Sequence, residues 1–168
     1  EKVIALYMIL NAKLSEKVKL NAGLRMENTA SEGRLVSELP INNNNVVRNY
    51  TDFFPNIGLS YDDKKKSQFN IGIGRRITRP NYQDLNPFES RISELVAWKG
   101  NPFLKPNYAM NYSFTYSYMK KLVISNTYSV TRDFFATVFE IVNDKGNFLI
   151  PRNMDKVISN GLSVSYPQ

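Results

Sequence analysis

Apolar and polar residues alternate along most of the chain with a period of two, the pattern of β-strands with one dry and one wet face. The cleanest stretch is Lys17 to Thr29. There Val18, Leu20, Ala22, Leu24 and Met26 share one face, and Lys17, Lys19, Asn21, Gly23, Arg25 and Glu27 share the other. Six more segments follow the rule: Lys2 to Ala12 (blurred by Met8-Ile9-Leu10), Phe54 to Tyr61, Gln68 to Thr78, Tyr108 to Met119, Leu122 to Val130 and Val157 to Tyr166. In the fourth, Phe69, Ile71, Ile73 and Ile77 oppose Asn70, Gly72, Gly74, Arg76 and Thr78. In the fifth, Tyr112, Phe114, Tyr116 and Tyr118 oppose Asn111, Ser113, Thr115 and Ser117. The pattern predicts an all-β fold with an antiparallel sheet of about seven strands.

The connections alternate in length. Short joins at Leu14 to Glu16, Asp62 to Ser67 and Lys120-Lys121 interleave with long ones at Ala30 to Tyr50, Arg79 to Asn107 and Thr131 to Lys156. Short turns at one end and long loops at the other mark an up-and-down barrel of the outer-membrane type. The polar face agrees, because Ser, Thr, Asn and Gly dominate it where a solvent-exposed strand face of a soluble protein carries more Lys and Glu. A soluble sandwich or small barrel that binds an amphipathic ligand is the competing reading, and it places the dry face inside.

Composition narrows the chemistry. The 168 residues include no Cys and no His, which excludes thiol nucleophiles, His-dependent triads and the metal sites built on imidazole or thiolate. No enzyme activity, catalytic residue, cofactor or metal site is expected. The net charge of +7 suits an anionic partner, and the mean hydropathy of -0.37, with no apolar run near the roughly 20 residues needed to span a bilayer, excludes a transmembrane helix but not a membrane barrel. Aromatic residues reach 12%, with 10 Tyr, 10 Phe and 1 Trp. The chain starts at Glu1-Lys2-Val3 without a signal-like segment and reads as a piece of a larger protein.

The long loop from Arg79 to Asn107 carries the most distinctive sequence. It contains Arg79-Pro80, Asn86-Pro87-Phe88 and Gly100-Asn101-Pro102-Phe103-Leu104-Lys105-Pro106, preceded by Arg75-Arg76-Ile77-Thr78. With Gly23 to Thr29 and Tyr50 to Pro55, these motifs resemble the C-terminal barrel of TonB-dependent outer-membrane receptors of the Bacteroidetes type, from about Lys2 to Tyr166. One departure is Asn107, where the family often has an acidic residue. The resemblance implies that residues 1–168 are a partial C-terminal segment of a large transmembrane barrel of roughly 22 strands. The plug domain and the remaining strands would lie elsewhere.

It further implies energised uptake of a glycan, siderophore or similar ligand across the Gram-negative outer membrane. The implied partners are the TonB complex acting through the plug, a SusD-like surface lipoprotein, outer-membrane lipid and lipopolysaccharide, with no nucleic acid. A barrel serving as an adhesin or anchor is a third reading. The isolated segment is expected to self-associate through its unpaired strand edges.

The residues of the loop support a physical reading of their own. Pro80, Pro87, Pro102 and Pro106 fix φ and favour an ordered loop. Asn86-Pro87-Phe88-Glu89 reads as an N-cap, a first-turn proline and an N3 glutamate, which predicts a short helix to about Ala97. Tyr82, Phe88 and Trp98 are candidates to stack on sugar rings or aromatic chelates, or else they pack the loop onto the rim. Asp84, Glu89 and Glu94 are weak candidates for a carboxylate pair or a Ca²⁺ site. Arg25, Arg75, Arg76 and Arg79 suit lipopolysaccharide, a plug carboxylate or plain rim solvation. Asp62-Asp63-Lys64-Lys65-Lys66 reads as a solvated periplasmic turn. Gly72-Ile73-Gly74 lacks the helix a dinucleotide fingerprint needs, and its glycines are expected to keep the inner wall clear for a neighbouring domain. Asn42 to Asn45 reads as a mobile loop tip.

Overall fold

The computed structural model describes residues 2–34, 45–142 and 146–166. Among the described residues the chain forms β1 (Lys2–Lys13), β2 (Val18–Arg34), β3 (Asn45–Asp62), β4 (Ser67–Thr78), α1 (Tyr82–Leu85), β5 (Glu89–Arg91), β6 (Val96–Lys99), β7 (Asn107–Tyr118), β8 (Leu122–Arg132), β9 (Phe135–Val142), β10 (Gly146–Asn153) and β11 (Lys156–Ser165). Seven strands make one open antiparallel sheet in the order β1-β2-β3-β4-β7-β8-β11. These are the seven segments marked by alternation, in chain order and with the expected short turns between them.

Register turns the alternation of single strands into rows across the sheet. Leu10, Ala22, Ile57, Ile73, Tyr112 and Tyr128 lie side by side, and nearer the short turns Val18, Tyr61, Phe69, Tyr116, Ile124 and Val164 form another row. In that second row the Tyr61, Phe69 and Tyr116 rings pack at centroid distances of 6.0 and 4.7 Å. The opposite face carries Asn21, Gly58, Gly72, Ser113, Thr127 and Gly161 in one row. The apolar face is bare: Phe53, Ile57, Ile71, Phe114 and Leu162 are all exposed, and the buried apolar side chains among the described residues are Phe54, Leu104, Phe148 and Pro151. A soluble barrel would bury this face as its core, whereas a membrane wall presents it outward to hydrocarbon.

The long connections hold more structure than the sequence pattern indicates. The connection from Thr131 to Lys156 contains the β9–β10 hairpin. It joins β5 and β6 in a second sheet of order β5-β6-β10-β9, with β6 parallel to β10. β2 runs on to Arg34 and β3 starts at Asn45, so both strands reach well past the residues that alternate cleanly. Asn42 to Asn44 lie outside the described residues, and Asn45 is already in β3.

The short helix is present but displaced. It is α1 at Tyr82–Leu85, opened by Asn81, whose side chain accepts from the Asp84 N–H while the Asp84 carboxylate accepts from the Asn81 N–H. Asn86 is therefore the C-cap of α1 and not an N-cap, and its side chain accepts from the Phe88 N–H at 3.2 Å in an Asx turn. The residues expected to be helical up to Ala97 form β5 and β6 instead, because Val96, Ala97 and Trp98 find a ladder on β10.

Candidate functional site

At the long-loop end, β3 and β4 part company. Their pairing stops at Asn56↔Gly74, although β3 continues for eleven residues toward its start at Asn45 and β4 runs on to Thr78. Pro55, which has no N–H to give to a ladder, sits where the strands separate. Arg75 takes over. Its Nη1 donates to the Phe53 carbonyl at 2.8 Å, its Nη2 lies 3.5 Å from Asp52 Oδ1, and Tyr108 donates to Asp52 Oδ2 at 2.8 Å. Its guanidinium also lies over the Tyr108 ring at 4.6 Å and the Phe54 ring at 5.7 Å, with Arg25 over Phe54 at 4.8 Å. By alternation alone Arg75 falls in phase with Ile73 and Ile77, and its polar role follows from the gap.

A second set of polar contacts lies above the first. Arg79 Nη2 donates to Glu27 Oε2 and Thr29 Oγ1, each at 2.8 Å, and its Nε donates to the Tyr50 hydroxyl at 3.3 Å. Glu27 and Thr29 are buried, at 6% and 1% exposure, and Arg25 lies 3.4 Å from Glu27. Burial draws the Arg79 pKa down, but the Glu27 carboxylate and the Tyr50 hydroxyl outweigh it and hold the pKa above the ordinary guanidinium value. Arg48 Nη2 donates to the Pro102 carbonyl at 2.6 Å, which ties β3 directly to the loop.

The motif residues of the loop hold it together. A Cβ on Gly100 would lie 2.4 Å from the Asn86 carbonyl oxygen and 2.5 Å from that of Gln83, so only glycine fits under α1. The Gly100 N–H donates to the Asn86 carbonyl and the Asn101 N–H to that of Asp84. Asn101 Nδ2 reaches the Pro151 carbonyl at 3.3 Å, while its Oδ1 accepts from the Phe103 N–H at 3.0 Å. Leu104 is fully buried, and beside it Asn153 exchanges hydrogen bonds with the Lys105 backbone. Asn107, the departure from the family motif, is buried at the start of β7 opposite Thr78.

This scaffold leaves a cleft of about 360 Å³ between the upper ends of β2 and β3 and the loop. Of the residues singled out in the sequence, Arg79, Pro80, Tyr82, Asn86, Pro87, Phe88, Pro102 and Pro106 line it. Tyr82 is 79% and Phe88 55% exposed. Trp98 lies elsewhere: it is half-buried in β6 and lines a neighbouring recess with Gln83, Asn86, Phe88 and Ser90. Gly100, Asn101 and Leu104 stand outside the cleft lining and brace it. The candidate carboxylates do not converge, since Asp84 caps α1 and Glu89 pairs with Lys99 at 3.0 Å. Sequence reasoning missed Arg48, Asp52 and Tyr108; the proline inside β3 and the arginine in phase with Ile73 were the signals available.

The whole of this architecture matches a known type. The model of a family described as "outer membrane protein beta-barrel family" matches residues 1–168. The chain belongs to that family. Its apolar face is therefore the lipid face of a Gram-negative outer-membrane wall, and the Ser, Gly and Asn rows line the lumen.

Among solved structures, the chain is similar to the siderophore receptor PirA from Pseudomonas aeruginosa, with a TM-score of 0.73 and 16% identity over 96% of this chain and 30% of that one. It is also similar to the hemophore receptor HasR of Serratia marcescens, solved with its hemophore HasA and heme, at a TM-score of 0.71 and 12% identity, covering 96% and 31%. The ferric enterobactin receptor PfeA from Pseudomonas aeruginosa, solved with enterobactin, gives a TM-score of 0.64 and 20% identity, covering 96% and 24%. At these identities the likeness is one of fold. The chain spans a quarter to a third of each of those proteins. No curated protein matches the sequence.

Proposed function

We propose that residues 1–168 are a C-terminal wall segment of a TonB-dependent receptor, and that the cleft over the barrel mouth contacts the imported ligand. The observation that carries this reading is the ordered loop. It is built on Gly100, Asn101 and Leu104 and clamped to the wall by Arg48 and Arg79, so that Tyr82 and Phe88 stand exposed at the cleft. Exposed aromatic rings beside arginines suit a glycan, a ferric siderophore or a similar ligand, and Trp98 in the adjoining recess extends the same surface. The three receptors with similar folds, two of them for siderophores and one for a hemophore, support a receptor role and a passive wall without catalysis.

On this reading the strands beyond β1 and β11 and a lumenal plug come from the rest of the protein. The TonB complex pulls on that plug, a SusD-like lipoprotein covers the mouth, and lipopolysaccharide surrounds the outer rim. The Bacteroidetes subtype rests on the loop motifs. The test is uptake by cells carrying the full-length receptor on a single limiting nutrient. Tyr82→Ala with Phe88→Ala should lower ligand affinity by about ten-fold or more, the loss of two aromatic contacts, with unchanged surface abundance. Unchanged uptake kinetics for every imported ligand would remove the cleft from the pathway.

A further inference from the structure

At the end opposite the cleft, two short turns stand next to each other because β4 pairs with β7. The β3–β4 turn carries Lys64, Lys65 and Lys66, and the β7–β8 turn carries Lys120 and Lys121; all five side chains are exposed. The turns are joined directly by the Met119 N–H, which donates to the Lys66 carbonyl at 2.6 Å. The neighbouring acids point into the turn. Asp63 Oδ1 accepts from the N–H groups of Lys65, Lys66 and Ser67 at 2.7 to 3.0 Å, and Asp62 accepts from the Lys64 N–H and from Gln68. Among the described residues no carboxylate forms an ion pair with any of the five ammonium groups.

Both turns are tight: Lys64 has φ 65, and Met119 and Lys120 have φ 51 and 57, the left-handed backbone of close hairpin reversals, which glycine adopts at no cost. Directly beside the turns, on the lipid face, Tyr61, Phe69 and Tyr116 pack as a band, with Tyr118 next to them and the Tyr116 hydroxyl 3.4 Å from Ser67 Oγ. Aromatic bands of this kind lie at headgroup level, and lysine stems reach from there toward charged lipid.

We infer that the five lysines of these two turns, seated at the aromatic band, bind the phosphates of anionic phospholipids in the inner leaflet of the outer membrane. The inference rests on the barrel reading, which sets short turns on the periplasmic side. The cluster is a fixed basic rim that holds phosphatidylglycerol-type headgroups at the wall and fixes the depth of the barrel. Lys13 and Lys19 do not contribute, because they face each other on the lumenal side.

The experiment uses the full-length receptor purified in mild detergent and native mass spectrometry with added phosphatidylglycerol, phosphatidylcholine or lipopolysaccharide at low and high salt. Phosphatidylglycerol should be retained over phosphatidylcholine, with a loss of roughly five-fold per lysine in Lys64→Gln/Lys65→Gln/Lys66→Gln at low salt. Lys99→Gln/Lys105→Gln, at the other end of the wall, should leave retention unchanged. Lys64→Gly/Lys120→Gly should also lose phosphatidylglycerol while its melting temperature holds or rises, since glycine adopts both left-handed positions at no cost. Equal retention by the triple variant, equal binding of both phospholipids, or a loss confined to lipopolysaccharide overturns the inference. The same holds if the glycine variant melts lower and keeps its lipid. Heat-modifiable migration of the receptor checks the barrel reading separately: without it that reading fails, and with it a missing lipid preference counts against the lysine rim alone.

Discussion

At Gly100 the steric limit is set by two backbone oxygens, those of Asn86 and Gln83, neither of which can rotate away as a side chain would. Gly100→Ala should therefore pull α1 off the loop at a cost of roughly 1–3 kcal/mol, typical of overpacking a tight site. The change should appear as faster proteolysis within residues 82–106 of the full-length protein, and wild-type cleavage rates would remove the loop packing described above. Gly74 makes a useful contrast, because a Cβ there meets its nearest neighbour at an ordinary 3.8 Å. At Gly72 a Cβ would sit 2.6 Å from Ser113 Oγ, a hydroxyl that can rotate away, and the next atom, Ser113 Cβ, lies at 4.0 Å. Packing within the sheet therefore does not demand glycine at Gly72 or Gly74 as the loop backbone demands it at Gly100.

Arg79 is a second position where one residue carries several contacts. Arg79→Ala strips Glu27 of its shorter ion pair and Thr29 and Tyr50 of a donor, with Arg25 remaining at 3.4 Å. The expected cost is about 1–3 kcal/mol of local stability, the penalty of leaving a buried acceptor short of a partner. Hydrogen exchange should rise at the upper ends of β2 and β3 and leave the short-turn end unchanged.

Individual elements show why the sequence was legible in some places and opaque in others. The seven wall strands alternate because lipid and lumen make opposite demands on their two faces, and that contrast writes itself into every second residue. The contrast ends above the membrane. The Asn45 to Phe53 half of β3 shows little of it because one of its faces, with Arg48, Tyr50 and Asp52, is half-buried in polar contacts with the loop, Arg79, Arg75 and Tyr108, and β9, reading Phe-Ala-Thr-Val-Phe-Glu-Ile-Val, is apolar on both faces. Asn86-Pro87-Phe88-Glu89 has the residues of a helix start, but Asn81 and Asp84 form the complete capping box five residues earlier. Local propensity cannot rank two adjacent caps when the tertiary ladder on β10 decides between them.

The β3–β4 turn adds a pH dependence with a definite sign. The N–H groups of Lys65, Ser67 and Lys66, with help from the charge on Lys17, hold the Asp63 carboxyl below its ordinary range against the opposing effect of burial. A lowered carboxylate pKa means that the turn gains from Asp63 at neutral pH and loses that gain as the pH falls through the depressed value. In Asp63→Asn the amides of Lys65 to Ser67 should exchange faster than in the wild type at neutral pH, and the difference should vanish once Asp63 is protonated. A difference that persists at acid pH would show that the side-chain shape, and not its charge, holds the turn.

On the scale of the whole molecule, the exposed apolar face and the small buried set of Phe54, Leu104, Phe148 and Pro151 among the described residues leave the sheet without a core of its own, so its partner must be lipid on one side and protein on both edges. Two measurements follow from that. In the full-length protein with Trp98→Phe, a tryptophan introduced by Phe114→Trp should be strongly quenched by lipids brominated in mid-chain, whereas Trp98 in the native protein should be spared, because β6 belongs to the loop sheet. The reverse result would turn the wall inside out. The edges supply the other test. β1 exposes Tyr7 and Ile9 on its lumenal face as well as Leu6, Met8 and Leu10 on its lipid face, and β11 is exposed throughout. A strand with two greasy faces and a free row of N–H and C=O groups pairs with whatever edge it meets. Residues 1–168 made alone should therefore join edge to edge into oligomers, and a monodisperse monomer in light scattering without detergent would mean that the sheet had found another way to cover its apolar face.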